Sequence, residues 1–161
     1  MGKFNFKDGK DFEKIKKKSE EFYTTINFVY CPYFGEKITF NVKGIKHLKF
    51  KRDQVARPRQ DQYSRLKLIH LAPEVLKLSK MVQGIWHTKH FESEKTNNRW
   101  EKKMKEVSFY EFIAVLENVR VKVIVKQTTG GEKHFWSIIP FWKIDKKNSK
   151  RILHSGNLEI D

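Results

Sequence analysis

The chain lacks most of what would tie it together covalently or place it in a membrane. Cys31 is the one cysteine, so no internal disulfide can form and no cysteine-rich zinc site can be built. The longest apolar stretches, at 113–116 and 135–142, fall far short of the roughly 20 residues a membrane-spanning helix needs. The first residues carry charge with no apolar segment behind them, and Phe6 stands where a myristoylation signal needs Ser or Thr. A cytoplasmic protein with no membrane partner is the corresponding expectation. Neither a GxGxxG nor a Walker phosphate loop is present, so a nucleotide cofactor has no support, and there is no internal repeat.

Negative charge is also scarce. Across 161 residues, 19 Asp and Glu meet 34 Lys and Arg, a formal charge of +15, which points to a partner rich in negative charge. Aromatic residues are plentiful, with 13 Phe, 5 Tyr and 4 Trp, so the chain has the means to bury a core and is not disordered throughout. The length fits a single domain, expected at 1–145, followed by an exposed basic tail at 146–161 containing the run at 146–151.

Phe12, Ile15, Ser19 and Phe22 recur at helical spacing among lysines and predict an amphipathic helix over 10–22. Segments 25–30 and 37–42 read as two strands joined through Pro32 and Gly35, a hairpin. From 43 to 67, nine Lys or Arg meet only Asp53 and Asp61, making this the most basic stretch. Asp61 is placed to cap a helix bearing Tyr63, Leu66 and Ile69, and Pro73 suits the first turn of another. Beyond Gly84 the pattern turns to strands at 85–91, 108–116, 119–127 and 133–142, with a charged connector at 92–106. Gly130-Gly131 supplies a tight turn that makes the last two strands neighbours. The expected class is α+β, with N-terminal helices packed on a four- to five-stranded, mainly antiparallel sheet.

Alternation puts Val119, Val121, Val123 and Val125 on one face of their strand and Lys122, Ile124 and Lys126 on the other. An even-numbered loop at Gly130-Gly131 then sets His134, Trp136 and Ile138 with the valines, and Phe135, Ser137 and Ile139 with the lysines; a one-residue bulge reverses this. The lysine face, with Ser137, would be a half-apolar cationic surface suited to a phosphodiester.

RNA cleavage needs no external nucleophile, because the substrate 2′-OH can attack the adjacent phosphate. The protein then supplies a base, an acid and charge stabilisation, roles for which His and Lys or Arg are suited. His47, inside the basic stretch, is the first candidate for acid–base work. His134 is a rim residue, His70 a core histidine on an apolar helix face, and His154 incidental. His87 and His90 fall on opposite faces of a strand with no carboxylate or cysteine to complete a set, so no metal is expected. Cys31, beside Pro32 in a turn, has no nucleophile signature.

The segments VRVKVIVK at 119–126 and GGEKHFWSIIP at 130–140, with GIKH at 44–47, resemble phage-associated members of the barnase, EndoU, colicin and RelE-like ribonuclease superfamily. The resemblance implies helices packed on a four-stranded antiparallel sheet and metal-independent, toxin-like cleavage of RNA without a cofactor. Carried over by position, His47 is the acid–base group, Lys122 or Lys126 the phosphate contact and Ser137 the hydroxyl. Lys46, Arg52, Arg65, Lys126, His134 and Trp136 make up the expected RNA-binding set, and an acidic antitoxin or immunity protein would be the natural inhibitor. The hairpin at 25–42 and the connector at 92–106 lengthen the chain beyond compact members. The alternative is a noncatalytic nucleic-acid-binding module using the same basic surface and its aromatics; a third is a basic structural or assembly protein.

Overall fold

The helical spacing from Phe12 yields helix α1 over Gly9–Thr24 in the computed structural model, which describes residues 9–52, 55–141, 144–145, 150–151, 155 and 157–161. Phe12 and Ser19 are buried as that spacing requires, but Phe22 is exposed and Tyr23 takes the inward position, its hydroxyl donating to the Asn41 carbonyl at 2.6 Å. Strands β1 (Phe28–Cys31) and β2 (Glu36–Thr39) form the expected hairpin, with Val29 opposite Ile38. The second strand stops short of Val42. Asn41 accepts hydrogen bonds from the amides of Lys43 and Gly44 and caps helix α2 (Val42–Lys49), a local preference that overrides the strand-like alternation before it.

Strands β3 (Phe50–Arg52) and β4 (Val55–Ala56) pair next, followed by α3 (Arg59–Leu68), a 3₁₀ turn (Ile69–Leu71) and α4 (Ala72–Leu78). Pro73 lies in the first turn of α4 as expected. Asp61 does not cap α3; it lies within the first turn, and its carboxylate is taken by two arginines. His70 is exposed rather than part of the core, and bonds Glu117 at 3.2 Å.

The expected connector at 92–106 is strand. β5 (Gly84–Thr96) and β6 (Arg99–Leu116) form one long ribbon paired from Gly84↔Glu111 to Thr96↔Arg99. The two-residue turn uses Asn97 and Asn98 at φ 48° and 65°, the left-handed pair that suits the twist of a hairpin. Glu117 and Asn118 do the same before β7 (Val119–Thr128), and Gly130 at φ 78° lies in the loop leading to β8 (His134–Pro140). A two-residue pair, β9 (Ile144–Asp145) with β10 (Lys150–Arg151), closes the strand inventory of the described residues.

The architecture is α+β. Its sheet is larger than expected, six strands in the order β1-β2-β8-β7-β6-β5, antiparallel except for the single Thr39↔His134 contact between β2 and β8. One face carries Val121, Val123, Val125, Phe135 and Ile138 against Leu66, Leu68 and Leu76 of the helical layer. The other carries a smaller cluster of Val107, Phe109 and Ile124, joined by Trp86, Trp136 and Leu158. Both faces of β7 are therefore covered, and Lys122 and Lys126 are buried rather than spread on a solvent face.

The one-residue bulge occurs. Ile124 pairs with Ser137 but Val125 pairs with Phe135, leaving Trp136 as the extra residue. Ser137 and Ile139 keep their places opposite Ile124 and Lys122, and Ile138 stays opposite Val123, whereas Phe135 joins the valine core and His134 pairs with Lys126. His154 and residues 146–149 lie outside the described residues. The end of the expected tail is not exposed: Asp161 is 2% accessible and bonded to Ser137 and Arg65. None of the described helices is long and apolar enough to cross a membrane.

Candidate nucleic-acid interface

Helix α2 rides close on β8 because Gly44 has no side chain: a Cβ there would lie 2.6 Å from both the Phe135 carbonyl oxygen and the Tyr23 hydroxyl. That approach delivers His47, one turn later, onto Trp136, with ring centroids 4.0 Å apart and planes inclined by 20°. Lys126 sits 4.2 Å from the same indole centroid, a cation–π contact made possible by the bulge.

Behind His47 runs a buried polar network. Arg57 Nη2 donates to His47 Nε2 at 3.0 Å and to the Ile160 carbonyl at 2.6 Å, while Arg57 Nε donates to the His47 carbonyl at 2.9 Å. A guanidinium can only donate, so Nε2 is the acceptor and the imidazole proton resides on Nδ1. Asp61 bridges the two arginines, accepting from Arg65 Nε at 2.6 Å and lying 3.5 Å from Arg57 Nη1. Arg65 Nη1 then donates to Ser137 Oγ at 2.8 Å and also to the main-chain oxygen of Asp161, which accepts in addition from Ser137 Oγ at 2.6 Å. Asp161 Oδ1 is held by the amide and hydroxyl of Ser155.

Burial dominates the electrostatics. It pushes the His47 pKa down to about 2, helped by the charges of Arg57, Arg65 and Lys126 and opposed by a bond to the Asp161 main chain. Burial likewise lowers the Arg57 pKa to about 10 and lowers that of Arg65, with Asp61 resisting both changes. His47 is therefore neutral at physiological pH. As a general acid it has no proton to give on Nε2, and as a base its affinity for a proton is far below that of an ordinary imidazole.

In front of His47 the surface opens into a groove of about 580 Å³. α2 contributes Lys43 and Lys46, the following strand Phe50, Lys51 and Arg52, the ribbon Phe91, Ser93 and Lys102, and the sheet Lys126 and Trp136. Six cations thus line it, and no carboxylate is among the described residues that do. Such a concavity attracts anions from several ångströms away, because its low-dielectric walls focus one sign of field.

The residues expected from the sequence divide accordingly. Lys46, Arg52, His47, Lys126 and Trp136 line the groove. His134 is buried opposite Lys126 on β8, 6.1 Å from the Trp136 ring, and does not line the groove. Arg65 and Ser137, both 0% accessible, belong to the network behind and cannot touch RNA in this arrangement. Lys122 lies apart, paired with Glu111 at 3.2 Å and 5.3 Å from the Phe141 ring centroid. His47, Lys122 and Ser137 do not converge on an open concavity. Arg57 and the Asp161 main chain, which help organise the network, carry no local signal beyond charge, and Asp61 reads locally as a cap; Lys102 lies in the expected connector at 92–106, and Phe91 at the end of the expected strand 85–91 has no signal of its own as a groove residue. His87 bonds Ser108 and His90 faces Glu159 at 3.6 Å, while Cys31 is buried, its thiol pKa raised by burial. No group of three or more metal-ligating side chains occurs among the described residues.

Against protein-family models, curated proteins and solved structures alike, nothing matches this chain.

Proposed function

We propose that this protein binds nucleic acid, RNA foremost, in the groove between α2 and the β5–β6 ribbon. The observation that carries the reading is a groove lined by six cations with no carboxylate among the described residues that line it, in a chain of formal charge +15. Phosphate contacts by Lys and Arg dominate affinity for nucleic acids and release condensed counterions, so a continuous cationic groove is the feature such a partner requires. Aromatic residues in the same groove, Phe50 and Phe91 among them, add surface for bases.

The reading is of binding rather than cleavage, because the histidine at the groove wall is kept neutral by its burial, with the Arg57 charge adding to it, and is stacked on Trp136. The test is retardation of tRNA by the purified protein in EDTA, with wild type beside the double variant Lys46→Glu/Lys102→Glu. Retarded, intact RNA with wild type and none with the variant supports the reading. Equal retardation by both moves the interface elsewhere, and shortened RNA, lost in His47→Ala, restores the ribonuclease expectation.

A further inference from the structure

We infer that the outer part of the β5–β6 ribbon is a stacking platform for single-stranded nucleic acid; this names the substrate class of the groove and rests on the binding reading above. Directly paired residues in an antiparallel ribbon share a face. Phe91 pairs with Met104, Ser93 with Lys102 and Lys95 with Trp100, so one face reads aromatic, polar, cationic on one strand and apolar, cationic, aromatic on the other. Phe91, Met104 and Trp100 are 65%, 60% and 73% accessible, a cluster of large apolar side chains left in water.

Charge separates the two faces. The register puts Glu101 on the face opposite Phe91 and Trp100, and Lys95 and Lys102 on the same face as those two rings. The face is also continuous with the groove, since Phe91, Ser93 and Lys102 line both. A strand leaving the groove outward would therefore meet Lys102, then Lys95 and Trp100, while Glu106, inward of Phe91 on the same face, is paired with Lys89 at 3.6 Å.

Spacing and chemistry select the occupant. Same-face side chains recur about every 7 Å along a strand, which puts Phe91 and the Lys95–Trp100 pair roughly 13 Å apart with Lys102 between them. An extended strand with unpaired bases can stack on both rings while its phosphates meet the intervening ammonium groups. A duplex keeps its base faces stacked internally and offers only edges and phosphates. A two-stranded ribbon enters the wide major groove of B-form DNA but not the deep, narrow one of an RNA helix, so an RNA duplex can compete only through its phosphates, and that is the competing outcome.

The experiment is fluorescence anisotropy at physiological salt, using a labelled oligouridylate of about 20 nucleotides and an RNA duplex of the same length. Wild type is compared with Trp100→Ala, Phe91→Ala and Lys46→Glu, with circular dichroism checking each fold. Wild type should bind the single strand at least about tenfold more tightly than the duplex, and Trp100→Ala should weaken only the single strand by about tenfold. Unchanged single-strand affinity in both aromatic variants, or equal affinity for the duplex, overturns the inference; if Lys46→Glu still weakens binding, the groove reading survives alone. Absence of any binding by wild type removes both.

Discussion

His47 lies flat on Trp136, ring centroids 4.0 Å apart, and this stack joins the helical layer to the extra residue of a β-bulge. Its consequences are chemical as well as mechanical. A ring pressed against an indole on one face and bonded through Nε2 to a guanidinium has lost most of its water, and the charged form is the one that loses most.

The folded protein should resist acid poorly on account of this residue. Between the ordinary histidine value of 6.5 and about 2, the unfolded chain takes up a proton at His47 that the native state refuses. Stability is therefore full above pH 6.5 and falls as pH drops through that window, by up to about 1.4 kcal/mol per pH unit from this group. Urea midpoints at pH 7 and pH 5 should differ less in His47→Gln than in wild type; an identical difference would show that the imidazole titrates in the folded state.

Asp61 is the side-chain carboxylate that bridges Arg57 and Arg65 directly, and all three side chains are buried. Asp61→Asn leaves two desolvated guanidiniums with only the Asp161 charge to offset them, and a loss of about 3–5 kcal/mol is expected in chemical denaturation. A loss below about 1 kcal/mol would mean that the arginines find water or another acceptor.

Gly44 sets the separation between α2 and β8. Gly44→Ala should gain helix propensity in α2 yet lose stability overall, by about 1–3 kcal/mol, because the contacted Phe135 carbonyl is backbone and cannot swing aside. The thermal midpoint should fall, and the His47–Trp136 stack should loosen, visible as a change in tryptophan emission.

Binding to single-stranded RNA should carry the signature of the groove. If its six cations each meet a phosphate, log K should fall against log salt with a slope of about −4. Lys46→Ala or Arg52→Ala, both at exposed positions, should each reduce that slope by about 0.7 and leave the fold intact. A slope near zero in wild type would contradict a phosphate-binding groove.

Local chemistry in the sequence was legible where a short segment settles its own conformation. The apolar spacing of α1, the hairpin at Pro32 and Gly35, and Pro73 opening α4 could each be read without neighbours. The α2 cap was legible in principle, since Asn41 precedes the helix, but the alternation of Ile38 and Phe40 pointed to strand and concealed it. The ribbon at 92–106 looks like a connector in sequence because a two-stranded arm in water has no buried face, hence no apolar alternation; Asn97-Asn98 is its local mark.

Charge excess and its concentration at 43–67 are properties of composition, and they determined by themselves that an anionic partner was the expectation. Which cations face outward was decided only by the tertiary structure. Arg65 and Arg52 are indistinguishable as sequence, yet one is enclosed with Asp61 and the other lines the groove. The bulge at Trp136 likewise moved Phe135, Trp136 and His134 to the faces opposite those that simple alternation assigns. Strand faces have period two, so one inserted residue inverts every assignment on its far side, and only pairing with a distant strand determines whether that residue is inserted.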